Sequence, residues 1–191
     1  MCGSIITIRL DNATFFKLIQ MQKQRIVLSG TACTGKSSVA KELKALGHNI
    51  IDEPARMLIK QFKETDPSKL PWNDRPAFQL AVEQQCFNDF LNNEHGYFDR
   101  SLVDEIGYRN HYSVEVTEDL KKRAMQYRYD KVFFFPPWRE IYVKDDERVE
   151  DFELAEQISK SLYEGYITCG YDVIMVPKIP IPERVEFVLS N

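Results

Sequence analysis

No stretch of the chain approaches the roughly 18 continuous apolar residues that a membrane-spanning helix needs, so no membrane partner is expected. Positive charge is not in excess. The chain has 25 Lys and Arg against 29 Asp and Glu, a net charge of −4. No basic stripe points to a nucleic-acid partner. Cysteine is scarce: Cys2, Cys33, Cys86 and Cys169 have no paired spacing and form no C-x-x-C. They read as reduced thiols, which points to the cytoplasm. His48, His95 and His111 lack the spacing of a metal-ligand set. Neither G-x-S-x-G nor H-E-x-x-H occurs. Repeats, low-complexity tracts and linkers are absent as well. What remains is 191 residues, 43% of them hydrophobic, enough for one globular domain with a core.

The first twenty residues fit no targeting signal. Ile5, Ile6 and Ile8 give way to Arg9, Asp11 and Lys17, and no small-residue cleavage site follows. Residues 1–20 are expected to be a dispensable extension, with Met21 as a natural start and residues 21–191 as the domain.

Against these absences, one stretch carries chemistry. Gly30-Thr31-Ala32-Cys33-Thr34-Gly35-Lys36-Ser37 reads G-x-x-x-x-G-K-[ST], a phosphate-cradling loop. The apolar run Arg25–Ser29 precedes it as a buried strand. Ser38 opens the following helical pattern, with Val39, Leu43 and Leu46 on one face and Gly47 as a stop. The two glycines let backbone N–H groups point at phosphate oxygens, and the helix N-terminus adds partial positive charge. Lys36 is expected to reach the β- and γ-phosphates and Ser37 to offer its hydroxyl to Mg²⁺. ATP and Mg²⁺ are the expected cofactors. No N-K-x-D stretch is present to favour guanine.

Four further apolar runs read as strands: Asn49–Ile51, Gly96–Phe98, Lys131–Phe135 and Tyr171–Val176. Helical segments fill the gaps. One runs from Pro54 to about Lys63, and another from a cap at Asn73 or Asp74 to about Leu91, with Phe78, Val82, Cys86 and Phe90 on a stripe. Others cover Leu102–His111, Thr117 to about Tyr127, Asp151–Ile167 and Pro182–Leu189. The alternation predicts an α/β fold in three layers, a five-stranded parallel sheet with helices on both faces. Its ligands belong at the carboxyl ends of the strands.

Phosphoryl transfer also needs a metal-side acid, a group that orients the acceptor, and cations. Asp99 ends a strand and is the candidate for Mg²⁺, with Arg100 beside it to meet a phosphate or an acceptor hydroxyl. Asp52 and Glu53 compete on the acceptor side: Glu53 as base, Asp52 as functional acid or as cap of the helix at Pro54. Arg56 follows one turn later, as an acceptor contact or a solvated residue. Arg139 and Arg148 flank the charged run Lys144–Glu147, a candidate lid, and Arg148 ranks first. Trp72, Phe78, Phe87 and Phe90 read as core. Of Gln79, Gln84 and Gln85, at most one is expected to meet a base.

Four stretches together resemble one family: Gly30–Ser38, Asp52-Glu53-Pro54-Ala55-Arg56, Tyr97–Asp104, and Pro136-Pro137-Trp138 leading to Arg148. The set is similar to the AAA-type P-loop domain of ribosylnicotinamide kinase-like ATP-binding proteins. Val176-Pro177 and Glu183–Leu189 resemble that family's tail. The likeness covers about Gln24 to Ser190 and implies a nucleotide-kinase-like P-loop NTPase fold. More distantly, Glu53-Pro54 and Asp99-Arg100-Ser101 resemble the E-P and [ED]-R-S motifs of deoxynucleoside kinases. That resemblance implies Glu53 as base, Arg100 as positioner, Asp99 near Mg²⁺ and Arg148 as lid arginine. The chain departs from those kinases in having one clear lid arginine, which leaves the acceptor open. The expected function is transfer of the γ-phosphate of ATP to a nucleoside-like or nucleotide small molecule. The alternative is an ATP- or GTP-binding switch without small-molecule kinase activity.

Overall fold

A computed structural model of the chain describes residues 24–142 and 151–191. The expected extension at residues 1–20, Met21 and Arg148 lie outside the described residues.

Five parallel strands form one sheet: β1 (Arg25–Ser29), β2 (Ile50–Ile51), β3 (Gly96–Asp99), β4 (Lys131–Phe134) and β5 (Val173–Met175), in the order β2-β3-β1-β4-β5. Seven helices among the described residues connect and cover them: α1 (Lys36–Ala45), α2 (Pro54–Thr65), α3 (Arg75–Asn92), α4 (Leu102–His111), α5 (Glu118–Gln126), α6 (Phe152–Thr168) and α7 (Ile181–Ser190). Strand period divides the core in two. Ile26, Leu28, Tyr97 and Phe133 face α1 and α7, where Val39, Leu43, Val185 and Val188 are buried. Val27, Phe98, Val132 and Phe134 face the other way, toward Phe78, Val82, Leu102, Leu120, Ile158 and Leu162. These parallel strands are apolar on both faces because helices cover both.

Local signals set the helix starts. Asp74 accepts a hydrogen bond from the Ala77 N–H at 3.0 Å, Thr117 from Leu120 at 3.2 Å and Asp151 from Leu154 at 2.8 Å. Ser101 and Asp104 form a reciprocal capping box at α4. The capping option for Asp52 fails: Glu53 is the N-cap of α2, without a side-chain cap bond, and Asp52 is exposed. Pro54 already lacks the N–H such a cap would serve. Trp72 is not core. It sits in the turn before α3 and is 61% exposed, because Asn73 fixes that turn through its N–H to Leu70 and its amide to Pro67. Strand β5 is shorter than its apolar run, since Tyr171 leaves the ladder and its hydroxyl accepts the Tyr129 N–H. Two 3₁₀ turns, Pro67–Lys69 and Arg139–Ile141, have no counterpart in the sequence reading.

Helices α4 and α6 meet where a side chain has no room. A Cβ on Gly107 would lie 2.6 Å from the Leu162 Cα. Gly107→Ala forces the helices apart, at an expected cost of about 2–3 kcal/mol. Thermal unfolding should show a loss of about 5–10 °C; an unchanged midpoint would contradict this close approach.

Candidate nucleotide and acceptor site

The glycine-rich loop joins the end of β1 to the first turn of α1, at the carboxyl edge of the sheet. Gly30 has φ 130° and Gly35 φ 83°, values that L side chains rarely adopt. A Cβ on Gly30 would strike the Phe135 carbonyl oxygen at 2.3 Å. Within the loop, the Thr34 hydroxyl and the Lys36 ammonium both donate to the Thr31 carbonyl, at 3.1 and 2.9 Å. The first turn of α1 carries no acidic residue and no side-chain cap, so its N–H groups have no carboxylate competing for them. Ser37 and Ser38 are exposed, whereas Thr31, Thr34 and Lys36 are buried. Ala32 and Cys33 are half-buried, Cys33 with φ 57°.

Three strand ends converge on this loop, and Arg100 ties them together. It follows β3 with φ 80°. Its Nε donates to Glu53 Oε1, just past β2, at 2.6 Å, and its Nη1 to the Gly30 carbonyl, just past β1, at 3.1 Å. Arg56 approaches the other Glu53 oxygen at 3.7 Å from an exposed position. Asp99 pairs in register with Leu28 and is buried, and its Oδ1 has no hydrogen-bond partner among the described residues. Lys36, Glu53, Asp99 and Arg100 are thus brought together. Asp52 stays on the surface.

The charges are set against burial. Burial lowers the Lys36 pKa, and Arg100 lowers it further against the opposing carboxylates Asp99, Glu53 and Asp104. Burial raises Asp99. Burial also acts to raise Glu53, but Arg100 and Lys36, with Arg56, outweigh it and hold that carboxyl at about 2. Glu53 is therefore an ionised acceptor at any working pH.

Beneath the edge lies a second polar group. Asp104 accepts from the Ser29 hydroxyl at 2.5 Å, the Ser101 N–H at 2.8 Å and the Tyr166 hydroxyl at 2.5 Å. It joins β1, α4 and α6 directly below the loop. The sequence signalled Asp104 only through its capping-box spacing. Further along α3 and α4, Glu83 and Arg109, each 5% exposed, form an ion pair of 2.6 Å. One turn nearer the helix starts, Gln79 Oε1 and Glu105 Oε2 are buried without partners among the described residues. Of the three glutamines, Gln85 donates to Asp89 and Gln84 is exposed.

Burial pushes Glu105 up to about 8, against Arg109 and Arg100 and with Asp104 and Glu83. Its carboxyl keeps a proton that the unfolded chain releases near the ordinary value of 4.5. This share of stability is fully present below the unfolded value and is lost as pH rises through about 8. Glu105→Gln should remove that share of the slope. Its melting temperature, measured from about pH 5 to about pH 8.5, should fall less steeply than that of the parent. Parallel curves would contradict a proton held on Glu105.

Arg139 is exposed and paired with Glu153 at 2.9 Å, its guanidinium over the Phe152 ring. Phe78 and Phe90 are core, and Phe87 packs edge-on against Tyr127. Arg184 was missed. It comes from α7, is 4% exposed, and donates from Nη1 to the Thr34 carbonyl at 2.9 Å. Its signal was a charge on the apolar stripe of Ile181, Val185 and Val188.

A family model described as an AAA domain matches residues 25–184. None of the curated proteins is similar enough in sequence to count as a relative. Among solved structures, the chain is similar to deoxyadenosine kinase from M. mycoides with products dCMP and a flexible dCDP bound. The TM-score is 0.62 at 17% identity, over 87% of this chain and 97% of that one. It is similar to the NadR protein in complex with NR, with TM-score 0.65 and 14% identity over 93% of this chain, but it spans only 52% of that one. It is also similar to the YorR protein from Bacillus subtilis in complex with phosphorylated GDP, with TM-score 0.58 and 17% identity over 87% and 94% of the two chains. At these identities the likeness is one of fold, the P-loop NTPase fold with a nucleoside-kinase-like sheet.

Proposed function

Because the chain belongs to the AAA-domain family, we propose that it is a magnesium-dependent kinase that moves the γ-phosphoryl group of ATP to a hydroxyl of a nucleoside-like or nucleotide acceptor. The observation that carries this reading is the Glu53–Arg100 pair, 2.6 Å apart and tied to the phosphate loop through the Gly30 carbonyl. A carboxylate held at the end of β2 and joined to the loop through Arg100 suits the orientation of an acceptor hydroxyl. The deoxyadenosine kinase of known structure named above shares the fold and supports the reading.

In this mechanism the loop amides of residues 30–37 and Lys36 hold the triphosphate. Asp99 and Ser37 fit a magnesium ion. The Asp99 Oδ1 is buried and unpartnered and Ser37 is open to solvent. Magnesium takes one or two protein oxygens and fills its remaining positions with phosphate and water. Held by these two residues, a magnesium ion would supply positive charge against the charge developing on the phosphoryl oxygens. Glu53 accepts the hydrogen bond of the acceptor hydroxyl and orients it. With a pKa of about 2 it is a weak base at rest, but a loose transition state asks for alignment first and proton removal late. Arg100 keeps Glu53 ionised and in place.

Purified protein with Mg·ATP and panels of nucleosides, nucleotides and ribosides tests the proposal. ADP release that rises with one acceptor is the expected result. Nucleotide binding without acceptor-stimulated turnover would favour the switch.

A further inference from the structure

Arg184 is the buried cation that the site leaves uncompensated. Lys36 has Glu53, Asp99 and Asp104 around it, and Arg100 has Glu53. Arg184 has no ion-pair partner among the described residues. Burial is the one influence acting on its charge, and it disfavours that charge. The acids beside it on α7, Glu183 and Glu186, are exposed. Its Nε is buried with no hydrogen-bond partner among the described residues. Its guanidinium lies over the Trp138 ring, 5.3 Å from the centroid. A Cβ on Gly35 would sit 2.5 Å from Nη1 and 2.9 Å from Nη2, so the guanidinium packs directly against the loop at Gly35. A side chain at position 35 would have to displace this guanidinium, besides adopting a φ of 83°.

An isolated buried charge is costly to a fold, and apolar replacements are often neutral or stabilising. A cation held this way in the resting protein has a use only if an anion arrives to balance it. We infer that Arg184 is a positioning residue that anchors the Thr34–Gly35 turn and whose unbalanced charge is matched by the polyphosphate of a bound nucleoside di- or triphosphate. It acts through the loop and across it, with no direct contact to the phosphates. The inference rests on reading residues 30–37 as the triphosphate site, and it makes the last helix a contributor to nucleotide affinity.

Arg184→Met and Arg184→Lys separate charge from packing. Calorimetry with Mg·ATP and with magnesium and inorganic tripolyphosphate reads the affinity. Arg184→Met should weaken both probes by a similar factor of about 10 or more, with a flatter dependence on ionic strength. Arg184→Lys, which keeps the charge, should stay within about threefold of the parent. Without nucleotide, Arg184→Met should melt at or above the temperature of the parent, because it removes an unpaired charge. The inference fails if Arg184→Met binds both probes as the parent does, or if only Mg·ATP weakens, which would place Arg184 on the base. It also fails if Arg184→Lys is as weak as Arg184→Met. A large drop in apo stability or a failure of Arg184→Met to fold overturns it too, since the residue would then be a structural clamp. A parent chain that binds neither probe removes the triphosphate site itself, a result distinct from all of these.

Discussion

Glu53→Gln is expected to lower acceptor-dependent ADP release about 10²–10⁴-fold while leaving Mg·ATP affinity within about threefold. Glutamine keeps the size of the side chain and can still accept from Arg100, but it removes the negative charge that the proposed mechanism uses to orient the acceptor hydroxyl and receive its proton. That mechanism puts the triphosphate contacts on the loop, so nucleotide binding should change little. The loss should appear in kcat and kcat/KM together, as for an interaction made in the transition state. The pH profile adds an independent check. With its folded pKa near 2, Glu53 is ionised throughout the working range, so it contributes no acid limb to kcat/KM above about pH 4. The same depression means that Glu53 stabilises the fold above its ordinary value of 4.5 and loses that contribution as pH falls through about 2. Full turnover in Glu53→Gln would remove the residue from the mechanism.

Lys36→Met should cut kcat/KM for Mg·ATP about 10²–10³-fold or more, whatever the acceptor. Methionine preserves much of the buried stem, so the change is mainly one of charge. Lys36 already spends one hydrogen bond on the Thr31 carbonyl at 2.9 Å. Its ammonium carries two further donors, which the proposed mechanism directs to phosphate oxygens as charge-assisted hydrogen bonds. Without its ammonium group, Asp99 and Glu53 lose a cation that opposes the effect of burial on both carboxyls. Direct binding measurements should therefore show weaker affinity for the triphosphate, along with slower turnover. Parent-like affinity and turnover in Lys36→Met would be incompatible with a phosphate-cradling loop.

The parts of the fold legible in the sequence were those written locally. The run Arg25–Ser29 before a glycine loop, a cap at Asp74 (one of two candidates with Asn73), a helix start at Thr117 and Pro54 at another are all short-range devices, and each held. The segment read from Leu102 to about His111 is a helix over Leu102–His111, and Ser101 and Asp104 close a capping box at its start. The order β2-β3-β1-β4-β5 was not legible, because parallel pairing joins segments far apart in sequence. Within the site, the gathering of Lys36, Glu53, Asp99 and Arg100 followed from placing strand ends at one edge. The Arg100–Glu53 contact itself did not, since it depends on how two neighbouring strands end. Trp72 misled because aromatic character suggests burial while the turn at Asn73 holds it outward. Arg184 escaped notice because one charge among exposed glutamates looks solvated until α7 is packed on α1. Asp104 closes the capping box of α4 and is also the acid that binds β1 to α6, a long-range role with no local signal.

The most direct test of the central claim is calorimetric titration of the full chain with Mg·ATP. The site described here predicts one nucleotide per chain with a dissociation constant in the range of about 1 μM to 1 mM, typical of substrate sites. Absence of heat with Mg·ATP and with Mg·GTP, even at millimolar concentration, would contradict it.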